Sequence, residues 1–392
     1  MTVNSLLEEL ADIGTSRTGG YNRLAWTRAD SDCREWFVAQ ATSRGLDIEI
    51  DRNGNLWAWL NHQLPGKALV VGSHLDSVPR GGAYDGPLGV ASAFAALDQL
   101  GDFAPSRPIA IVAFVDEEGG RFGIACAGSR LMTGSLASET FYRLTDIEGV
   151  TTSEAMRAAG QSADHLGRDD ERIARIGEFI ELHVEQGHLP STKGVDGLTS
   201  DAPLGLATEI WPHGRWRVDF AGQQNHAGAT KMSERHDPML ALARAILEVN
   251  EMAVARGILG TVGKVEVSPG AVNAIPGSAS LWVDARGGDQ HLVQEAMADF
   301  GHGAVLESWT PATPFDASFV GAINAALGGS LPELPSGAGH DAGVLALAGI
   351  PTAMILVRNP SGISHAPEEY AEPADCELGV TALAAAIRSR AA

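Results

Sequence analysis

The sequence contains little cysteine, few basic residues and no long apolar run. Its 392 residues include three cysteines, Cys33, Cys126 and Cys376, which lie far apart and belong to no recognised cysteine motif. This spacing argues against a disulfide framework and against a cysteine-based zinc site. We therefore expect the chain to work in a reducing, cytoplasmic compartment.

Acidic residues dominate the charge of the chain. There are 49 acidic and 28 basic residues, which gives a formal charge of −21 at pH 7. Nucleic-acid binding needs a basic face, so we expect no nucleic-acid partner. No apolar run approaches the roughly 18–20 residues of a membrane span, so we expect no membrane partner. The N-terminal residues carry early acids and no basic stretch, which favours a helix start over a secretory signal.

The chain is long enough for two domains, and most of it alternates strand-like and helix-like segments. Near-continuous apolar runs are typical of strands buried on both faces of a parallel sheet. Four such runs are found at residues 67–73, 108–115, 179–182 and 351–357. We predict an α/β fold in which helices flank a mainly parallel central sheet.

Residues 209–310 have a different pattern. Residues 216–220 alternate apolar and polar side chains, as a strand with one wet face does. The remaining elements predicted here are a helix at 237–255, strands at 261–267 and 279–285, and a helix at 289–300. We predict a smaller α+β domain at 209–310, inserted into a larger domain formed by 1–208 and 311–392.

The first candidate site follows the first apolar run. His74 and Asp76 lie two residues apart on an extended segment and can point the same way, while Asp85 follows in a glycine-flanked loop. Imidazole nitrogen and carboxylate oxygen together suit divalent cations. Asp76 could hold the His74 ring in place from behind. The alternative is a polar loop with a capping aspartate.

Three further chemical groups follow other apolar runs. Glu117 and Glu118 end the second run, and paired carboxylates there are costly unless they share a cation or a proton. His183 and His365 follow the third and fourth runs. Each alone could be a solvated turn or a structural histidine. Together, at one edge of a parallel sheet, they suit two divalent ions about 3.5 Å apart, with one glutamate left as a base for water.

Short motifs along nearly the whole chain resemble one family. They are GSHLDSV, GGAYDGPLGV, DEEGGRF, ELHVEQG, NHAG, VNAIPG, DAR, SGAGHDA and ISHAPEE. The chain resembles the dinuclear-zinc amidohydrolases that act on ureido acids, namely the N-carbamoyl-L-amino-acid hydrolases and allantoate amidohydrolases of the hydantoinase/carbamoylase group. These belong to the wider aminoacylase/carboxypeptidase clan with a zinc-exopeptidase-like fold. ELHVEQG and SGAGHDA favour the ureido-acid branch.

The resemblance implies two divalent ions per chain, with Zn²⁺ expected and Mn²⁺, Co²⁺ or Ni²⁺ as alternatives. The implied ligands form two sets that share one carboxylate: His74, Asp85 and His183 for one ion, and Asp85, Glu118 and His365 for the other. Glu117 is then the base that takes a proton from water and passes it to the leaving nitrogen. Asp76 orients His74.

The resemblance also implies that the smaller domain is a lid and dimerisation unit, so that the enzyme is a homodimer. The implied substrate contacts are Gln186, His226, Asn273, Arg286, Gly339 and His340. Arg286 would clamp a substrate carboxylate through two oxygens, although an ordinary surface ion pair is the alternative. His226 would polarise the ureido carbonyl, in its own or the partner's active site.

The expected reaction is hydrolysis of the carbamoyl C–N bond of a ureido acid, with release of ammonia and carbon dioxide. An allantoate-specific enzyme, an aminoacylase or dipeptidase of the same clan, and a non-catalytic binding module are the alternatives. Ala229-Thr230-Lys231 and Arg235-His236 depart from the family pattern. They fall in the smaller domain, so the departures leave the substrate open and the implied metal ligands unchanged.

Overall fold

The computed structural model describes all 392 residues. The chain folds into two compact units, a larger one of Met1–Ile210 and Pro314–Ala392 and a smaller one of Trp211–Thr313. The smaller unit begins and ends within a few residues of the segment predicted to be an inserted domain. Its roles as a lid and in dimerisation stay predictions. No helix is long and apolar enough to span a bilayer.

Strands make up much of both units. In chain order they are β1 (Asp47–Ile50), β2 (Leu56–Leu60), β3 (Ala68–His74), β4 (Ile109–Phe114), β5 (Ile176–Val184), β6 (Leu204–Ile210), β7 (His213–Ala221), β8 (Asn225–His226), β9 (Leu259–Ser268), β10 (Ala274–Ile275), β11 (Ser278–Arg286), β12 (Val305–Thr310), β13 (Thr313–Pro314), β14 (Glu333–Ser336) and β15 (Thr352–Val357).

The α-helices are fewer and vary in length. In chain order they are α1 (Val3–Leu10), α2 (Arg28–Ser43), α3 (Pro87–Leu100), α4 (Ala127–Thr133), α5 (Ser138–Tyr142), α6 (Thr152–Ala158), α7 (Asp170–Arg175), α8 (Pro238–Arg256), α9 (Gln290–Phe300), α10 (Ala317–Ala326), α11 (Asp341–Leu347) and α12 (Pro373–Ala391).

The larger unit is built on a sheet whose four central strands are parallel, in the order β4, β3, β5 and β15. Their apolar side chains are buried on both faces, which confirms the predicted α/β class. Each fully buried Val, Leu or Ile contributes about 1.5–3 kcal/mol relative to exposure. Gly72 is required in β3, because a Cβ there would lie 1.9 Å from the carbonyl oxygen of Val112.

Strands β1 and β2 form an antiparallel hairpin, and both Trp57 and Trp59 are buried core residues. Two differences concern the strand ends. His183 lies inside β5 and not after it, while His365 lies in a loop eight residues beyond the end of β15. In addition, β6 pairs antiparallel with β15, an element that the apolar runs did not reveal.

The smaller unit contains a four-stranded antiparallel sheet in the order β12, β7, β11 and β9. Side chains along β7 and β11 alternate between buried and exposed, as predicted for a sheet with one wet face. Residues of α8 and α9 join the buried side chains of these strands in a separate core. A short ladder of β8 and β10 lies apart from this sheet.

Candidate metal centre and active site

The register of the central sheet brings three polar segments to one edge. His74 is the last residue of β3, Glu117 and Glu118 follow shortly after β4, and His183 is near the end of β5. These strands are parallel neighbours, so their carboxyl ends meet at the same edge, where open α/β sheets bind ligands. Gly86, just before α3, leaves room for this cluster, since a Cβ there would lie 2.4 Å from the His74 ring.

Asp85 lies at the centre of this cluster and faces histidines on both sides. Its Oδ1 is 3.5 Å from His74 Nε2 and 3.3 Å from His183 Nε2. Its Oδ2 is 3.4 Å from His365 Nε2, which is in turn 3.3 Å from Glu118 Oε2. The structure therefore assembles two groups of three potential ligand atoms that share one carboxylate.

The donor atoms fit a divalent ion. The Nε2 atoms of His74 and His183 are buried and have no hydrogen-bond partner. Buried polar atoms are rarely left unpaired. Ligand atoms around a tetrahedral zinc, each about 2.0–2.2 Å from it, lie roughly 3.3–3.6 Å apart. The observed separations of 3.3–3.5 Å match this spacing and are long for hydrogen bonds.

Backbone carbonyls orient both buried histidines. The Nδ1 atom of His74 is 3.1 Å from the carbonyl oxygen of Asp76, and that of His183 is 2.8 Å from the carbonyl oxygen of Val184. A carbonyl only accepts, so each Nδ1 carries the proton. When the ring is neutral, Nε2 carries the lone pair and points toward Asp85, which is the tautomer that a metal ligand needs.

Asp76 contributes more through its carboxylate than the sequence suggested. The carboxylate accepts hydrogen bonds from the backbone N–H groups of Glu117 and Glu118, both at 3.1 Å. It is also 3.5 Å from His74 Nδ1, whose close partner is the Asp76 carbonyl. Asp76 therefore ties the end of β3 to the segment after β4, in addition to orienting His74.

Glu117 lies beside the cluster. Its Oε2 is 3.9 Å from His74 Nε2, and its Oε1 accepts a weak hydrogen bond from the Cys126 thiol at 3.3 Å. Burial raises the pKa of Glu117 well above its ordinary value, and the nearby His74 opposes this shift. For Asp85, burial also favours a higher pKa, but contacts with His183, His365 and His74 overcome it and hold the pKa well below its usual range.

Gln186 was expected to contact substrate, and in the structure it also contacts the Asp85 carboxylate. Its amide nitrogen donates to Asp85 Oδ2 at 2.8 Å and lies 3.2 Å from Ser364 Oγ. Its amide oxygen is buried without a partner. Gln186 therefore touches the shared carboxylate directly and keeps one polar atom available for another group.

Gly339 and His340 lie between β14 and α11. The His340 ring is buried 4.6 Å from the His183 ring, and its Nε2 pairs with Ser336 Oγ at 3.0 Å. Burial and the neighbouring His183 hold the pKa of His340 well below its ordinary value, so the ring is neutral. His340 and Gln186 line one narrow pocket of the larger unit.

A third group of potential ligands is formed by Glu181, His183 and His340. This group fits an ion less well than the first two, because the oxygens of Glu181 and the Nε2 of His340 already have partners. Glu181 accepts from Ser73 Oγ at 2.7 Å and from the Ala342 N–H at 3.2 Å. Neither Glu181 nor Ser73 was among the predicted site residues.

The remaining predicted residues lie in the smaller unit. His226 in β8 pairs with Ala274 in β10, so His226 and Asn273 are close, and both are exposed. Arg286, at the end of β11, makes a bidentate pair with Asp284, with two N–O distances of 2.7 Å. The ion pair considered as the alternative for Arg286 is therefore present.

The loop after His226 holds the ring in one tautomer. The backbone N–H groups of Gly228 and Ala229 donate to His226 Nδ1 at 3.0 and 3.1 Å. Arg235 closes this loop by donating to the carbonyl oxygens of Ala227 and Thr230. Since Nδ1 accepts, the proton lies on Nε2, which can donate outward. The departures Ala229 and Thr230 thus belong to the segment that presents His226.

Comparison with known proteins identifies the family. The family model described as peptidase family M20/M25/M40 matches residues 70–389. The chain therefore belongs to this family, and the match spans both sheet units and every residue of the cluster around Asp85.

Individual relatives narrow the group. The chain is 34% identical to an N-carbamoyl-L-amino acid amidohydrolase of Geobacillus stearothermophilus, covering 96% of this chain and 95% of the relative. It is also 34% identical to an allantoate amidohydrolase of Bacillus subtilis, covering 97% and 95%. A crystal structure of a hydantoinase/carbamoylase family amidase from Burkholderia vietnamiensis matches with a TM-score of 0.90 at 30% identity, covering 99% and 96%. These similarities confirm the predicted family, fold and amidohydrolase class.

Proposed function

We propose that this protein hydrolyses the carbamoyl C–N bond of a ureido acid at the cluster around Asp85. The observation that carries the proposal is one buried carboxylate that faces two histidines on one side and a histidine with a glutamate on the other. Two divalent ions sharing a bridging group are used for hydrolytic chemistry elsewhere. The names of the two relatives given above describe hydrolysis of ureido acids, namely N-carbamoyl-L-amino acids and allantoate.

His74, Asp85 and His183 would hold one ion, and Asp85, Glu118 and His365 the other. When bound, the ions would supply Lewis-acid activation of water and of the carbamoyl oxygen. The ligands are carboxylate oxygens and imidazole nitrogens, which bind zinc and also manganese, cobalt and nickel. The ligand types therefore do not select one metal, and the metal bound in the cell depends on which metal is available.

Glu117 is the proposed base. Its Oε1 accepts a weak hydrogen bond from the Cys126 thiol, and its Oε2 lies 3.9 Å from His74 Nε2. Oε2 would take a proton from the attacking water and give it to the leaving nitrogen. Water and the ureido group together yield ammonia, carbon dioxide and the free amine.

Six residues from the two units are the proposed substrate contacts, namely His226, Asn273, Arg286, Gln186, Gly339 and His340. His226 would donate from Nε2 to the oxygen that gains negative charge, because its Nδ1 is occupied by two backbone N–H groups. Arg286 would receive the substrate carboxylate, oriented by its pair with Asp284.

A panel of substrates tests this function. We expect ammonia release from N-carbamoyl-L-amino acids or allantoate after the purified protein is loaded with zinc, manganese, cobalt or nickel in separate samples. N-acetyl-amino acids and dipeptides serve as the matched comparison. Release of free amino acid from these compounds, without ammonia from any ureido acid, would favour an aminoacylase or dipeptidase.

We also propose that two copies associate through the smaller unit. Leu240, Leu247 and Val254 recur every seven residues along α8 and are 59%, 64% and 77% exposed. Strand β9 beside them is an edge strand with mostly exposed side chains. An open edge next to an apolar stripe is suited to pairing with a second copy. Light scattering should report a dimer for the native chain and a monomer for Leu247→Glu. If the native chain and the variant are both dimers, this interface is wrong.

A further inference from the structure

Glu369 is a buried carboxylate to which the mechanism assigns no role. It is 5% exposed and lies four residues after His365. Its Oε1 accepts hydrogen bonds from the backbone N–H groups of Tyr84 and Asp85, both at 2.9 Å. Its Oε2 is 3.0 Å from Ser364 Oγ. Both carboxylate oxygens therefore have partners, and one partner is the backbone of the central aspartate.

These hydrogen bonds join two distant parts of the chain. Glu369 and Asp85 are 284 residues apart in sequence. One loop carries Asp85, and the other carries His365, so Glu369 connects the loops that bring these two side chains together. Ser364 adds a second connection, since its Oγ is 3.1 Å from Asp85 Oδ2.

The loop before Asp85 leaves space for this carboxylate. A Cβ on Gly82 would lie 2.2 Å from Glu369 Oε1 and 2.3 Å from its Cδ. Atoms cannot approach this closely, so any larger residue at position 82 would displace the carboxylate. The glycine and the glutamate are therefore fitted to each other.

We infer that Glu369 is a positioning residue that sets the orientation of Asp85 toward both proposed ions. This inference rests on the metal assignment of the proposed function. Glu369 acts through the Asp85 backbone, and its Oε2 and Asp85 Oδ2 both lie within hydrogen-bond distance of Ser364 Oγ, whose single proton serves one of them at a time. Partners of this kind orient the groups that hold a metal and tune its affinity.

Glu369→Ala and Glu369→Gln provide a matched pair. Alanine leaves the Tyr84 and Asp85 N–H groups without their acceptor. Glutamine is isosteric, can keep both N–H groups on its oxygen and can donate its amide to Ser364 Oγ. We expect the alanine variant to lose about 10–100-fold in affinity for at least one ion, whereas the glutamine variant stays within a few-fold of the native protein.

The measurement is a zinc titration of the metal-free full-length protein in competition with a chromophoric chelator. Unchanged affinity of the alanine variant for both ions would overturn the inference, as would an equal loss in both variants. If Glu369→Ala does not fold by circular dichroism, Gly82→Ala decides the question, because it displaces the Glu369 carboxylate and leaves Ser364 in place. Weakened zinc binding in Gly82→Ala supports the inference, and native binding overturns it.

The titration uses no substrate, so it separates this inference from the proposed function. A protein that hydrolyses no ureido acid can still show the predicted zinc affinities. Kinetics then give a second readout. In Glu369→Ala, activity should recover as zinc approaches saturation, with an unchanged KM. A KM defect that persists at saturating zinc would place Glu369 in substrate binding instead and would overturn its positioning role.

Discussion

The two groups of candidate residues differ in how they are held. His74, His183 and Asp85 in the larger unit are 1%, 0% and 4% exposed, and each contacts another member of the same cluster. His226 and Asn273 in the smaller unit are exposed and are fixed mainly by backbone hydrogen bonds within their loop. The ends of β3 and β5 therefore hold His74 and His183 of the proposed metal site in buried positions, whereas the smaller unit presents single polar groups outward.

Metal removal should have the largest effect and should affect only the first of these groups. We expect a chelator to abolish ammonia release, because the metal ions that activate water would be removed from their five proposed ligands. Returning zinc or manganese should restore activity. Circular dichroism should change little, since the apolar strands β3, β4, β5 and β15 form the core independently of the ions. Full activity of protein that elemental analysis shows to be metal-free would contradict the assignment.

Glu117→Gln tests whether the buried cluster contains a base as well as ligands. We expect kcat to fall about 10²–10⁴-fold, the usual contribution of general acid–base catalysis. The amide keeps the shape of the side chain and its contact with Cys126, so metal content should stay native. Near-normal turnover with both ions bound would remove Glu117 from the mechanism.

His226→Ala tests the exposed group. Loss of one donor to a developing oxyanion typically lowers kcat about 10²–10³-fold, and metal content should not change. Arg235→Ala should reproduce part of this loss, since Arg235 closes the loop that presents His226, and Arg235→Lys should recover some of it. Arg256→Ala, which removes a surface pair with Asp299, is the control. If Arg235→Ala matches this control, the loop does not depend on Arg235.

Cys126→Ser and Cys126→Ala should give the smallest effects. A thiol is a weak donor, so its hydrogen bond to Glu117 contributes modestly. We expect kcat to change by less than about threefold in the serine variant and somewhat more in the alanine variant, because only alanine removes the donor. A larger defect in serine than in alanine would indicate that packing, and not hydrogen bonding, holds Glu117.

The apolar runs and the polar residues after them were enough to predict the central sheet and the side chains around Asp85. Such runs work because a strand buried on both faces must be apolar throughout. Strand β12 was missed because most of its side chains are exposed and give no apolar signal. Strand β6 was missed although it is largely buried, because Gly205, Thr208 and Glu209 interrupt its apolar run.

The hydrogen bonds that orient the candidate ligands could not be predicted from the sequence. Asp76 acts partly through backbone N–H groups of Glu117 and Glu118, and side-chain identity does not reveal such partners. Glu369 stands in the ISHAPEE motif, but its partners Tyr84 and Asp85 lie at the other end of the chain. The glutamate pair after β4 was also ambiguous, since spacing alone does not distinguish a ligand from a base.

The proposed metal site depends on Asp85 being shared by two ions. Anomalous diffraction at the zinc edge, from crystals of the zinc-loaded protein, tests it most directly. We predict two peaks about 3.5 Å apart on either side of the Asp85 carboxylate. One should lie by His74 and His183, and the other by Glu118 and His365. A single peak, or a peak among Glu181, His183 and His340 with none at Asp85, would show that Asp85 is not shared by two ions.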